Sequence, residues 1–175
     1  MASANPLQQV FDAAKREFEA ELPSRTPFQS LLSATTIDEV YNAMERYQKE
    51  QWKTSKLRHL QRIQPLLARL KEYAGVIEVF VQVKPDILAL LWGPIKLFLQ
   101  WTSGWNQGFD AVVKAMERIG ELLPCFNDLV VHFLDIERIK DLLGLFYRDI
   151  LDFYVALVQF FSLSRKFFLE DAPRS

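Results

Sequence analysis

Leu57, Leu60, Ile63, Leu67, Leu70, Ala74, Ile77 and Val81 follow one another at steps of three or four residues. That spacing draws one stripe along an α-helix and cannot form one face of a strand. The same period runs through most of the chain. No Asn-Gly or Asp-Gly hairpin turn occurs, no clean apolar–polar alternation appears, and only 6 of the 175 residues are glycine. The pattern predicts an all-α fold, a bundle of about six to seven helices with long, kinked central helices. It also predicts one domain over residues 1–169, made of an N-terminal helix and loop (1–27) and a main bundle (28–169), followed by a polar tail or linker at 170–175.

The first helix is expected from Pro6 to about Glu21. Asn5 caps it, Pro6 opens it, and Leu7, Val10, Phe11, Ala14 and Phe18 share a face. Pro23 and Pro27 mark a loop from Leu22 to Ala34, with a short turn around Phe28 to Leu32. Thr36 and Glu39 form a capping box for a second helix, with Ile37, Val40, Tyr41, Met44 and Tyr47 inward. Pro65 falls inside the third helical stripe and predicts a kink there. The stretch from Asp86 to about Thr102 is apolar nearly all round, which makes it the central helix; Gly93-Pro94 predicts a bend. Gly104 and Gly108 mark a turn. Further helices are expected over Phe109 to Leu123, Cys125 to Leu134 and Ile136 to Leu169. In the last of these Ile139, Leu142, Leu143, Phe146, Ile150, Phe153, Tyr154, Leu157, Phe160 and Phe161 face inward.

Half of the residues are hydrophobic and a quarter are charged, with a net charge of −1. That balance builds a core and argues against a nucleic-acid binder, which normally shows a basic excess. Cys125 is the single cysteine, so no internal disulfide is expected. Met1 to Gln9 lacks a basic stretch followed by an apolar run, and no lipidation pattern is present. The expected compartment is therefore the cytoplasm.

No phosphate-cradling loop, nucleophile elbow or kinase signature occurs. His59 and His132 are the two histidines. A Cys125–His132 nucleophile pair is conceivable, but no third group orients it, so the reading is a buried thiol and a partly exposed imidazole. Asp149 and Asp152 read as a solvated stripe or as partners of Arg148, not as an acid–base pair. Arg46, Lys49, Lys53, Lys56, Arg58, Arg62, Arg69 and Lys71 outnumber Glu45 and Glu50, and read as a solvated basic face. The apolar run from Leu142 to Leu163 is interrupted by Arg148, Asp149 and Asp152, which argues for a buried helix and against a membrane span. Trp92, Trp101 and Trp105 read as core or core-edge residues. No catalytic, cofactor-binding or metal-ligating residue is assigned, no cofactor is called for, and the chain is expected not to be an enzyme.

The segment Val83-Lys84-Pro85-Asp86-Ile87-Leu88-Ala89-Leu90-Leu91-Trp92-Gly93-Pro94-Ile95-Lys96-Leu97-Phe98-Leu99-Gln100 resembles the most recognisable part of a helical, Goodbye-like domain at the N-terminus of fungal STAND (NLR-like) receptors. Met116 to Ile119, the Leu122-Leu123-Pro124 turn and the aromatic helix from Phe146 to Phe168 are similar too. The resemblance spans Phe28 to Phe168 and rests on a packed Trp-Gly-Pro bend, so it transfers no catalytic residue. It implies a non-enzymatic signalling or adaptor domain in programmed cell death. Such a domain works through protein contacts with its own copies, with a downstream helical partner, or with an NTPase module in a longer chain. The competing reading is a cell-death bundle that permeabilises lipid through Pro6 to Glu21 and the basic face. Asp12, Glu17, Glu19 and Glu21 make that first helix acidic and weaken this reading.

Overall fold

The computed structural model describes residues 5–23, 28–32, 34–50, 61–80, 84–101, 107–132 and 136–170. Among them the chain forms α-helices and no strand. The helices are α1 (Pro6–Glu21), α2 (Phe28–Leu31), α3 (Ile37–Glu50), α4 (Gln64–Phe80), α5 (Pro85–Trp101), α6 (Gln107–Leu122), α7 (Phe126–His132) and α8 (Ile136–Glu170); a 3-10 turn at Gln61–Ile63 leads into α4. Six of the helices have 14 residues or more, and α8 has 35.

The local chemistry explains the helix starts. Asn5 Oδ1 accepts from the Leu7 amide at 3.0 Å, which satisfies one of the four orphan donors of α1, and Pro6 supplies no donor to orphan. At α3, Glu39 reaches one residue further back than the capping box predicts. Its Oε1 accepts from the Thr35 amide at 3.0 Å, while Lys96 of α5 donates to its other oxygen at 3.1 Å. The expected kink at Pro65 is corrected. Pro65 is the second residue of α4, inside the first turn, where a missing amide costs no intrahelical bond. Leu57 and Leu60 lie outside the described residues.

The central helix is where the sequence puts it. Ile87, Leu90, Leu91, Trp92, Ile95, Phe98 and Leu99 of α5 are all buried, and the helix runs unbroken through Gly93-Pro94. A Cβ at Gly93 would lie 1.5 Å from the Leu31 carbonyl oxygen, so only glycine lets α2 lie directly on α5. Around α5, α3 packs on one side and α8 crosses another. α1 lies along α8, and α4 packs on both α6 and α7. At Gly120 a Cβ would come within 2.3 Å of the Leu66 amide nitrogen, which brings the backbones of α6 and α4 together.

Three tyrosines tie α8 to its neighbours. The Tyr73 hydroxyl of α4 donates to the Leu143 carbonyl of α8 at 2.6 Å. From α8, Tyr147 donates to the Ile87 carbonyl at 3.1 Å and Tyr154 to the Leu91 carbonyl at 2.8 Å. Burial pushes all three hydroxyls above their ordinary pKa, so they stay protonated donors. α1 buries Leu7, Phe11, Ala14 and Phe18, with the Phe11 ring tilted against the Tyr147 ring at a centroid distance of 4.8 Å. Each of its larger side chains contributes roughly 1.5–3 kcal/mol by leaving water. Polar clasps surround that strip. Lys15 pairs with Asp86, Lys84 with Asp12 at 2.8 Å, and Arg148 with Glu17 at 3.1 Å; Asn5 Nδ2 donates to the Phe80 carbonyl at 3.2 Å.

Candidate docking face

The short helix α7 creates a surface feature with the character of a binding site. Pro124 ends the turn after α6, and the first amide of α7, at Phe126, donates to Glu72 Oε2 of α4 at 3.2 Å. Glu72 is itself held by Arg69 at 2.9 Å, so a carboxylate takes the place of an N-cap side chain and complements the helix dipole. The Phe126 ring then lies 5.2 Å from Tyr73 and 4.6 Å from Phe146, and those two rings are 4.9 Å apart. Edge-on and tilted aromatic contacts of this kind add about 0.5–1.5 kcal/mol each beyond burial.

Above this triad, α7 does not close fully on α8. An open cavity of about 250 Å³ remains, lined by Val76 of α4, by Pro124, Phe126 and Leu129 around α7, and by Ile139, Leu142, Leu143 and Phe146 of α8. Every lining residue is apolar. Of the lining residues Leu142 is 43% exposed, and Leu145, three residues further along α8, is 57% exposed. Leu142 and Phe160 are two corrections to the expected core, since Phe160 is also 42% exposed. On α8 the covered arc is centred on Leu143, Tyr147, Ile150 and Tyr154; the adjacent doublets Leu142-Leu143 and Phe160-Phe161 put one member inside it and one at its edge. The doublets were the available signal, but which member faces inward depends on where α1 and α7 sit.

The sequence candidates do not converge. Cys125 is half-buried beside the Arg69 guanidinium, and the rise of α7 sets His132 about 10 Å further along the axis. The His132 side chain and all of His59 lie outside the described residues. Asp149 and Asp152 are both exposed on α8, and Arg148 pairs with Glu17 of α1, not with either of them. Of the basic stretch, Arg62 in the 3-10 turn pairs with Glu117 of α6 (Nε to Oε2, 2.8 Å) and Arg69 with Glu72; Arg46, Lys49 and Lys71 are exposed. Lys53, Lys56 and Arg58 lie outside the described residues. The Arg62 hydrogen bond holds the Glu117 carboxyl below the usual carboxylate range. Trp92 is buried in the core; the Trp101 side chain and Trp105 are not among the described parts. Among the described residues no group of three or more His, Cys, Asp or Glu is placed to hold a metal ion, and no helix is long and apolar enough to cross a membrane.

Residues 61–167 match DUF7708, a domain of unknown function, over more than half of the chain. This chain belongs to the DUF7708 family. The matched span begins at the 3-10 turn before α4 and ends within α8, so the whole cavity and its rim lie inside the DUF7708 region, whereas α1, α2 and α3 precede it. No curated protein and no solved structure matches the chain.

Proposed function

We propose that this DUF7708 chain is a non-enzymatic signalling or adaptor module that acts by helical protein–protein contact through the α7–α8 face. One observation carries this reading: an open cavity with a wholly apolar lining, whose exposed Leu142 stands beside exposed Leu145 on a long helix. Exposed apolar surface next to a pocket is the physical mark of a contact site, where a partner's apolar side chain fills the hole and excludes water. The same lining carries no group able to transfer a proton or attack an electrophile, which argues for contact over catalysis. The family is one that in fungi is associated with NLR-like proteins, and this agrees with the resemblance of residues 83–100 to the N-terminal region of such receptors. The proposed setting is the cytoplasm, with the module transmitting a signal that a linked or separate NTPase generates.

The experiment that tests this is flotation with, and dye release from, anionic liposomes, using the purified 175-residue chain. The chain is expected to stay with the soluble fraction and release no dye. Leakage at low protein-to-lipid ratio overturns the contact reading and replaces it with membrane permeabilisation.

A further inference from the structure

The outward face of α8 carries a sequence that complements itself when reversed. Arg138, Leu142, Leu145 and Asp149 are spaced four, three and four residues apart, which places all four within one narrow strip of the helix. All four are exposed. The strip adjoins the apolar cavity, because Leu142 belongs to both.

We infer that this strip is the interface of a two-fold homodimer, in which α8 of one copy lies antiparallel against α8 of another. The inference rests on the contact-module reading and names its partner as a second copy of this chain. In an antiparallel pair centred between Leu142 and Leu145, residues whose numbers sum to 287 face each other. Leu142 then meets Leu145 of the second copy, twice, and forms the apolar centre. Arg138 meets Asp149 of the second copy, also twice, and closes both ends with opposite charges. Asp141 and Arg148 lie on one side of the strip, two residues (about 3 Å) off that register, so their opposite signs come within side-chain reach across the axis without being directly opposed. Ile139 and Phe146 lie on the other side, where they line the cavity, so a leucine from the facing copy has a hole to enter.

Each contact is made twice by the two-fold axis, which is how a single self-complementary strip becomes a closed dimer and not a chain of copies. A parallel arrangement loses this match, because it sets Arg138 against Arg138 and Asp149 against Asp149. Arg138 and Arg148 both already have partners within the chain, Glu17 at 3.1 Å for Arg148, and the five donors of each guanidinium allow it to serve a second carboxylate. The shared overlap, residues 136–151, is about 24 Å long. A two-helix seam of that size lies at the small end of specific interfaces, so the dimer forms reversibly and depends on concentration.

Sedimentation equilibrium on the full chain over a concentration series tests this. The wild type is expected to approach twice the 20.4 kDa chain mass. Arg138→Glu sets two like-charged pairs facing each other and weakens association about tenfold or more. Asp149→Arg does the same, and the double charge swap restores the wild-type dissociation constant. Leu145→Arg gives a monomer. The three substituted positions are exposed, so far-UV circular dichroism stays unchanged, and urea unfolding at a concentration where the wild type is monomeric separates loss of pairing from loss of fold. A wild type that remains monomeric throughout the series, or a double swap that stays as weak as the single variants, overturns the self-pairing. A monomer that also leaves liposomes intact removes only this inference, whereas liposome leakage removes the contact reading beneath it.

Discussion

The same substitution at two glycines separates helix propensity from packing. Gly75 lies in the middle of α4, exposed, and a Cβ there meets nothing within 4 Å. Gly75→Ala therefore gains the ordinary helix preference of alanine and a less flexible unfolded chain, about 0.5–1 kcal/mol of added stability. Gly120 sits near the end of α6, where a Cβ would lie 2.3 Å from the Leu66 nitrogen, 2.8 Å from its Cα and 2.8 Å from the Pro65 carbonyl carbon. All three are backbone atoms of the first turn of α4, so no side chain can swing aside. Ordinary contact begins at 3.4 Å, and α6 must back away from α4 by about 1 Å. A gap of that size forfeits a quarter to a half of the dispersion energy of the atoms it parts. Leu66 and Met116, 3% and 0% exposed, are among the buried residues of this contact. Overpacking of this kind costs about 1–3 kcal/mol, which exceeds the propensity gain, so Gly120→Ala is expected to destabilise by about 1–2 kcal/mol net. Urea unfolding followed by circular dichroism reads both, with the slope unchanged. If the two substitutions shift the midpoint in the same direction, the close approach of α6 to α4 is refuted.

Further outcomes follow from the hydrogen bonds and rings. Tyr154→Phe leaves the packing of α8 on α5 intact but removes the 2.8 Å bond to the Leu91 carbonyl, with an expected loss of about 1 kcal/mol in urea unfolding. Phe126→Ala dissolves the aromatic triad and should cost about 3–5 kcal/mol; hydrogen exchange is expected to rise first in α7. The Lys84 bond holds the Asp12 carboxyl below its ordinary pKa, and the Thr35 amide, then Lys96, does so for Glu39. A carboxyl whose folded pKa is depressed stabilises above its unfolded pKa and loses that contribution as pH falls through the folded value. The urea midpoint is therefore expected to drop below about pH 4, and Asp12→Asn should reduce the slope of that drop.

Much of the architecture was readable because it rests on local chemistry. Asn5 and Pro6 announce α1, and the all-round apolar run marks α5 as the centre. Pro65 was misread for a physical reason: a proline serves equally in a helix interior with a kink and in a first turn without one. The choice was made at a distance, where Gly120 packs against the Pro65–Leu66 backbone and leaves the chain before Gln64 in a 3-10 turn. Tyr73 and Tyr147 fell outside the stripes read from the sequence, because a phenol counts as half polar until a carbonyl of another helix is found for it. Leu142 and Phe160 were assigned inward because periodicity gives the direction of an apolar arc but not its width. The arc of α8 is set by α1 on one flank and α7 on the other. The cavity was invisible for the same reason, being the space that remains where α7 is too short to cover Leu142.

The three tyrosine hydroxyls fix the axial position of α8. Sliding α8 along its axis by one turn, about 5.4 Å, separates Tyr73 from Leu143, Tyr147 from Ile87 and Tyr154 from Leu91 all at once. Stranding a buried donor costs about 1–3 kcal/mol, so three together rival the whole stability of a domain. A one-turn slide of α8 within the folded domain is therefore strongly disfavoured. The three bonds instead tie α4, α5 and α8 to one another at a fixed axial position.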